Sequence, residues 1–264
     1  MRGPGGAWAR KGGVVSAALF WAATAGSAEV SVAAAADLKF ALDAAVSDFR
    51  KSRADVGVTV TYGSSGSFFA QIESGAPFDL FLSADVDYPE KLAARGLTVP
   101  GSEFLYAIGR IVVWVRKESP LDLAGRGLLA LAAPSVTKVA IANPRHAPYG
   151  RAAEAALKSL GVWDAVREKL VFGENVAQAA QFVESGAAEA GILALSLALA
   201  PEMAAKGRWA EIPASAHPPL RQGGVILKSS TSPDAAKAFR DYLVGPAGRA
   251  ALARYGFALS LSSP

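Results

Sequence analysis

Three serines and two glycines stand together at Gly63-Ser64-Ser65-Gly66-Ser67, directly ahead of the apolar pair Phe68-Phe69. Such residues at a helix mouth permit three kinds of chemistry. One is a nucleophilic serine. A second is an anion cradle, in which hydroxyls and a closely approachable glycine backbone join the first helical amides. Those amides lack internal partners and lie at the positive end of the helix dipole. The third is plain helix capping. The nucleophile is poorly supported, because the second glycine arrives one residue too early for a G-x-S-x-G elbow. A triad also needs a histidine base, and the chain has two histidines, His146 and His217. His146 lies in a loop that can line a cleft, so a secreted serine hydrolase stands as the competing class.

The same arrangement recurs three times. Ala35-Ala36-Asp37, Asn143 to Gly150 and Glu174-Asn175-Val176 each join a strand-like segment to a helical one. All four loops lie at the carboxyl ends of strands, where open α/β sheets bind ligands. Two belong to each half of the chain. If the halves face each other, four helix mouths converge on one cleft and hold an oxyanion with neutral donors alone.

The elements that must position these loops follow from the patterning. Residues 29–33, 56–62 and 78–83 read as strands and 38–50, 68–73 and 89–94 as helices, which is the βαβαβα order of a parallel sheet covered by helices. A long β-rich segment, Leu105 to Val115, carries Gly109 near its middle. The pattern then restarts, with strands at 139–142, 169–172 and 190–195 and helices at 150–160 and 176–184. A strand at 223–227 and helices at 233–243 and 246–255 close the chain. The fold class is therefore α/β with two units. The segments around Gly109 and Gly223 are the expected crossings, which suits a hinge. The corresponding division is 29–108 plus 223–264 for lobe 1, which is discontinuous, and 109–222 for lobe 2.

Composition removes other classes. Of 264 residues, 27 are basic and 23 acidic. Residues 1–28 have a basic start, a short apolar run from Val14 to Ala23 and small residues up to Ala28. This is the layout of a cleaved secretory signal and predicts export across a membrane. Without it the charges nearly balance, at 24 against 23. No basic stripe marks a nucleic-acid surface. The absence of cysteine excludes disulfides, thiolate nucleophiles and Cys-ligated metals. No Walker or G-x-G-x-x-G motif follows a strand, so nucleotide binding has no support. Asp79 and Asp85 read as strand-end and loop-capping residues rather than a catalytic pair. Trp114, Trp163 and Trp209 read as packing residues, and Arg221 as a solvated charge beside a crossing.

With the four loops in place, the chain resembles the periplasmic molybdate-binding proteins of ABC importers over nearly all of the sequence after residue 28. The pieces that carry the resemblance are AAADL, YGSSGS, GAPFDLFLSAD, YAIGRIVVW, NPRHAPYG, GENVAQAAQFVESGAAEAGI and GPAGRAALARYGF. The resemblance implies the type II periplasmic binding protein fold, two α/β lobes joined by two crossing segments. It also implies a molybdate or tungstate oxyanion held by hydrogen bonds in the cleft, delivery to a membrane permease, a monomer, no cofactor and no enzymatic activity. The family's ligand contacts fall on Asp37, Ser65, Tyr149 and Val176. Ser65 is expected to give its hydroxyl and amide, and Tyr149 and Val176 their amides, so that the Tyr149 side chain matters little.

The chain departs from the family pattern in two places. Asp37 stands where many relatives carry serine or asparagine. Ionised, it cannot donate from its side chain and repels a dianion. It can give its backbone amide while its carboxylate caps its own helix. Alternatively it accepts a proton from hydrogen phosphate, which would change the ligand. Ala194 fills the place where some relatives have a tyrosine ligand. A sulfate or phosphate receptor is thus the neighbouring reading, with sulfate disfavoured because a smaller tetrahedron leaves some fixed donors unpaired.

Overall fold

The computed structural model describes residues 28–259 together with residues 1 and 3. The expected signal at 1–28 thus lies almost wholly outside the described residues. Ala28, expected to be its last residue, opens the first strand, opposite Val56.

In chain order the first sheet collects β1 (Ala28–Ala35), β2 (Val56–Gly63), β3 (Leu80–Ser83) and β4 (Phe104–Gly109), with helices α1 (Lys39–Ser52), α2 (Ser65–Glu73) and α3 (Asp87–Ala94) between them. The second collects β5 (Ile111–Arg116), β6 (Val139–Ala142), β7 (Leu170–Gly173), β8 (Ala190–Ala194) and β9 (Gly207–Glu211). Its helices are α4 (Leu123–Arg126), α5 (Pro148–Ser159), α6 (Trp163–Val166), α7 (Val176–Glu184), α8 (Leu195–Ala198) and α9 (Pro201–Lys206). The chain then returns to the first sheet as β10 (Leu220–Ile226) and ends in α10 (Pro233–Val244) and α11 (Pro246–Arg254).

The strand orders are β2-β1-β3-β10-β4 and β7-β6-β8-β5-β9. They are the same plan. In each sheet three parallel strands are followed by one antiparallel strand, and that strand is the one that has just crossed over. The strand that leads into the crossing takes the edge. Alternation of strands and helices anticipates the parallel part. The antiparallel insertion depends on which neighbour the crossing strand meets, and no local pattern encodes that.

The long β segment breaks at Arg110, between two sheets, close to the expected crossing at Gly109. The second crossing is not at Gly223. It occupies residues 212–219, and Gly223 lies inside β10, where the register against β4 shifts between Gln222 and Gly223. A glycine within a strand can mark a bulge as well as a bend, and here the bulge prevails. A Cβ on Gly224 would also meet the Phe104 ring and the Leu82 side chain, so close packing is a further reason for glycine here.

The apolar strands β3, β6 and β8 are buried along their whole length, as strands covered on both faces must be. In α1 the buried Ala41, Leu42, Ala45, Val46 and Phe49 keep the helical period of the sequence and face α10, where Phe239 meets Phe49 edge-on. Trp114 is fully buried, whereas Trp163 and Trp209 are half-buried. One core cluster joins the second sheet to Ala35, Ala36 and Ala84 of the first half, so the two halves pack directly at the end where the four loops meet.

Candidate functional site

β1 and β2 in the first sheet, and β6 and β7 in the second, each run at their carboxyl end into a turn and a helix. Two of the helices start earlier than their periodicity suggests. The helix expected from Phe68 begins at Ser65, and that expected from Gly150 begins at Pro148. Neither start is set by apolar residues. Ser64 caps α2, accepting from the Ser67 amide, and Pro148 fits the first turn of α5 because its missing N–H has no intrahelical acceptor there. Ser65 and Tyr149 therefore lie inside first turns, where free amides are found.

The amides can be counted turn by turn. At α2, Gly66 donates to the His146 carbonyl (2.9 Å), Ser67 to Ser64 Oγ (3.3 Å) and Phe68 to the Ser64 carbonyl (3.1 Å). At α5, Gly150 and Arg151 both reach the Ala147 carbonyl (3.0 and 3.2 Å). At α7, Asn175 Oδ1 accepts from Ala177 and Gln178 (3.0 Å each), and Ala179 reaches the Asn175 carbonyl (3.1 Å). In each first turn one N–H remains, and it belongs to Ser65, Tyr149 or Val176. Among the described residues these three meet no acceptor. The Ser65 hydroxyl accepts from the Ala84 amide (2.9 Å), which leaves its own proton free to donate.

These groups line one small cavity, bounded by Ala36, Asp37, Ser65, Ala147, Tyr149 and Val176 among others. Asp37, Ser65, Tyr149 and Val176, expected from separate loops, are thus together. A buried N–H without a partner costs free energy, so several of them aimed at one space call for an acceptor-rich, negatively charged occupant. A larger groove of about 350 Å³, lined by Asp85, Arg151, Pro219 and Arg221, opens further out along the seam between the halves. The unpaired donors line the inner cavity and not this groove.

Two expectations are corrected. The Asp37 carboxylate does not cap its helix, since neither the 3-10 turn at Ala36–Leu38 nor α1 has a side-chain cap. Its Oδ2 accepts instead from the Tyr149 hydroxyl (2.9 Å) and Gln222 Nε2 (2.7 Å). The Tyr149 side chain is therefore engaged, and its hydroxyl also accepts from Gln222 (3.1 Å). Ser196 of α8 donates to the Asp37 carbonyl (2.7 Å). Burial pushes the Asp37 carboxyl up to about 6, against the lowering effect of Gln222 and Tyr149. Burial likewise drives the Tyr149 hydroxyl upward, and the nearby Asp37 charge adds to this.

Gln222 and Ser196 escaped the sequence reading. Gln222 left a signal: on a strand that buries Leu220, period two turns position 222 inward too, whereas Arg221 points out and is exposed. Ser196 left none, because its role depends on α8 meeting a loop 159 residues away.

Other candidates take structural places. Asp79 accepts from the amides of Ser31, Thr231 and Ser232 and the hydroxyl of Ser230, tying three segments together. Asp85 accepts from its neighbour Asp87 and pairs with Arg151, so the two carboxylates serve different loops. His146 Nδ1 lies 2.9 Å from Ser64 Oγ, and its Nε2 lies 3.6 Å from Glu174. Ser64, however, is committed to capping α2 and to Ser67 Oγ (2.8 Å). Ala194 is buried at the end of β8 and presents no hydroxyl. Among the described residues no group of three or more His, Cys, Asp or Glu side chains is placed to hold a metal ion.

Residues 30–258 match the family model of bacterial extracellular solute-binding proteins. The molybdate-binding protein ModA of Azotobacter vinelandii is 40% identical over 90% of this chain and 93% of its own. The solved periplasmic molybdate-binding protein of Azotobacter vinelandii superposes with a TM-score of 0.82 at 35% identity, covering 88% of this chain and 99% of that one. A substrate-binding domain assigned to a molybdenum ABC transporter of Clostridium difficile gives 0.67 at 29% identity, over 89% and 100%. These relatives are binding proteins, not enzymes, and the serine hydrolase reading falls away. The chain belongs to the bacterial extracellular solute-binding proteins and, within them, to the family of the molybdate-binding protein ModA.

Proposed function

We propose that this protein captures molybdate, with tungstate bound comparably, between its two lobes in the periplasm and delivers it to the membrane permease of an ABC importer. The observation that carries the reading is the convergence of the unpaired Ser65, Tyr149 and Val176 amides and the free Ser65 proton on one small cavity. A tetrahedral dianion supplies four acceptor oxygens without requiring a cation or a cofactor from the protein. Asp37 contributes through the backbone at the mouth of the first turn. The mechanical units are 29–108 with 223–264, and 109–222, after removal of the leader at 1–28; β10 suggests moving the return boundary back to about Leu220. Closure follows because the donors come from both sheets, so the ion gains its full set of bonds only when the lobes meet. The chain works as a monomer.

Calorimetric titration with molybdate, tungstate, sulfate and phosphate is the direct test. Tight molybdate and tungstate binding with weak sulfate binding is expected. Tight phosphate binding with no heat from molybdate would reassign the ligand.

A further inference from the structure

The carboxyl group at the centre of the site is unusual in its surroundings. Asp37 is 1% exposed, lines the oxyanion cavity and sits on the seam between the two sheets. One of its oxygens, Oδ2, is fully engaged by Tyr149 of α5 and Gln222 of β10. The other, Oδ1, is buried and has no partner among the described residues. An ionised carboxylate would leave that oxygen bare while a dianion occupied the adjoining cavity. Two like charges at close range in a desolvated site cannot both persist cheaply.

We propose that Asp37 enters the occupied site as a neutral carboxylic acid donating a hydrogen bond from Oδ1 to the oxyanion, so that capture of a dianion is coupled to uptake of one proton. This rests on the oxyanion reading above and deepens it. The balance is simple. One O–H bond forms on Oδ1 with a proton from solvent, no other covalent bond changes, and the bound pair carries the charge of the dianion alone. Oδ2 is the wrong oxygen for the proton, because two donors already point at it. Oδ1 is the one that can give a bond to the ligand, and it converts an acceptor-only group into a further donor.

Burial favours the neutral form of Asp37, and its neighbours bring no positive charge to oppose it. Tyr149 and Gln222 are uncharged donors whose bonds only partly offset the burial. Tyr106 of β4 gives its hydroxyl to the Ser83 carbonyl (2.9 Å), and Ser196 of α8 bonds the Asp37 backbone. Lys39, on the following turn, is paired with Asp43 (3.3 Å) and lies over the Tyr62 ring. No cation among the described residues offsets the charge. Burial already displaces the carboxyl to about 6, and a bound dianion pushes it further in the same direction. By linkage, dianion affinity then falls about tenfold for each pH unit above that region.

The test is calorimetry with molybdate on the full chain after the leader, at one neutral pH in two buffers of different ionisation enthalpy, repeated as the pH is raised. About one proton taken up per ion and the stated weakening are expected. Asp37→Asn, which keeps a side-chain donor, should bind molybdate with no proton uptake and a flat pH profile. Infrared difference spectra on adding molybdate should show a carboxylic acid band that Asp37→Asn lacks, which gives a second readout on the unmutated protein. Tight molybdate binding without proton uptake overturns this inference alone. So does phosphate bound in preference without uptake, since the ligand would then bring the proton. Failure of both proteins to bind any oxyanion overturns the oxyanion reading and this inference together.

Discussion

The two lobes touch through an inner group of side chains and an outer one, and exposure to solvent distinguishes the two. The inner group, Asp37, Tyr149, Gln222 and Ser196, is at most 4% exposed. The outer group is the Arg151 ion pair with Asp85, its contact with Tyr88 Oη (3.2 Å), and the His146 contacts to Ser64 and Glu174. Its charged side chains range from 24% to 74% exposed. Both groups span the seam, but a lost partner inside strands a polar atom that solvent cannot reach, while outside it is rehydrated. The inner group should therefore set affinity, and the outer group should mainly trim it.

The largest effect should come from removing a neutral donor inside. Gln222→Leu removes a donor that reaches both Asp37 and, across the seam, Tyr149, and should cost about 1–3 kcal/mol of molybdate binding, the range for leaving buried acceptors without a partner. Calorimetry measures it, and an unchanged affinity would show that the inner network does not bear on the ligand. Tyr149→Phe removes a bond from the same carboxyl. The two losses should be non-additive in a double-mutant cycle, because both act on Asp37 Oδ2.

Next in size is Ser65→Ala, which deletes the one side-chain hydroxyl proposed to donate to the ion. About 1–3 kcal/mol should be lost. Part of that loss is indirect, since the Ala84 amide also forfeits its acceptor. Ser65→Thr keeps both bonds if its methyl group is accommodated, and recovery of affinity in that variant would separate the hydroxyl from the packing.

A smaller effect concerns pH in the unliganded protein. The folded Asp37 carboxyl sits at about 6, above its ordinary value of 3.8. Between those values the folded form holds more protons than the unfolded form, so stability falls as pH rises. The contribution is complete below the unfolded value and lost as pH passes through the folded one. Between pH 5 and 7 the loss should be about 1 kcal/mol, read from denaturant midpoints. Asp37→Asn should flatten this slope. A slope that persists in the variant would place the titration elsewhere.

These contrasts also mark what could be read from the chain. The helix mouths were legible because Ser64, Pro148 and Asn175 carry their own capping chemistry, and a cap fixes which amides remain over. β3, β6 and β8 were legible as unbroken apolar runs. The inner network was not, because Asp37, Tyr149 and Gln222 are separated by 112 and 73 positions and come together only once both sheets exist. The return crossing was misplaced for a related reason. Gly223-Gly224 looks like a bend, yet β10 needs small residues there to pass Phe104 and Val86. Nothing local distinguishes a glycine that turns from one that makes room.

The smallest expected effect is at the rim. Arg151→Ala removes the ion pair with Asp85, the bond to Tyr88 and the guanidinium from the face of that ring, where it sits 5.7 Å from the centroid. Three contacts vanish together, which on a simple count would exceed the inner substitutions. Exposure argues otherwise. Arg151 is 40% and Asp85 26% exposed at the side chain, so each regains water when the other is lost, and an exposed pair is worth about 0–1 kcal/mol. The effect should also shrink as salt is added, with a screening length of about 10 Å at 0.1 M. Gln222→Leu should show no such salt dependence, because its network is dry. Titrating both variants with molybdate at low and high salt therefore sets the two groups against each other directly. If Arg151→Ala proves as damaging as Gln222→Leu at both salt levels, the outer contacts are part of the closing machinery, and exposure is the wrong guide to which side of the seam holds the ion.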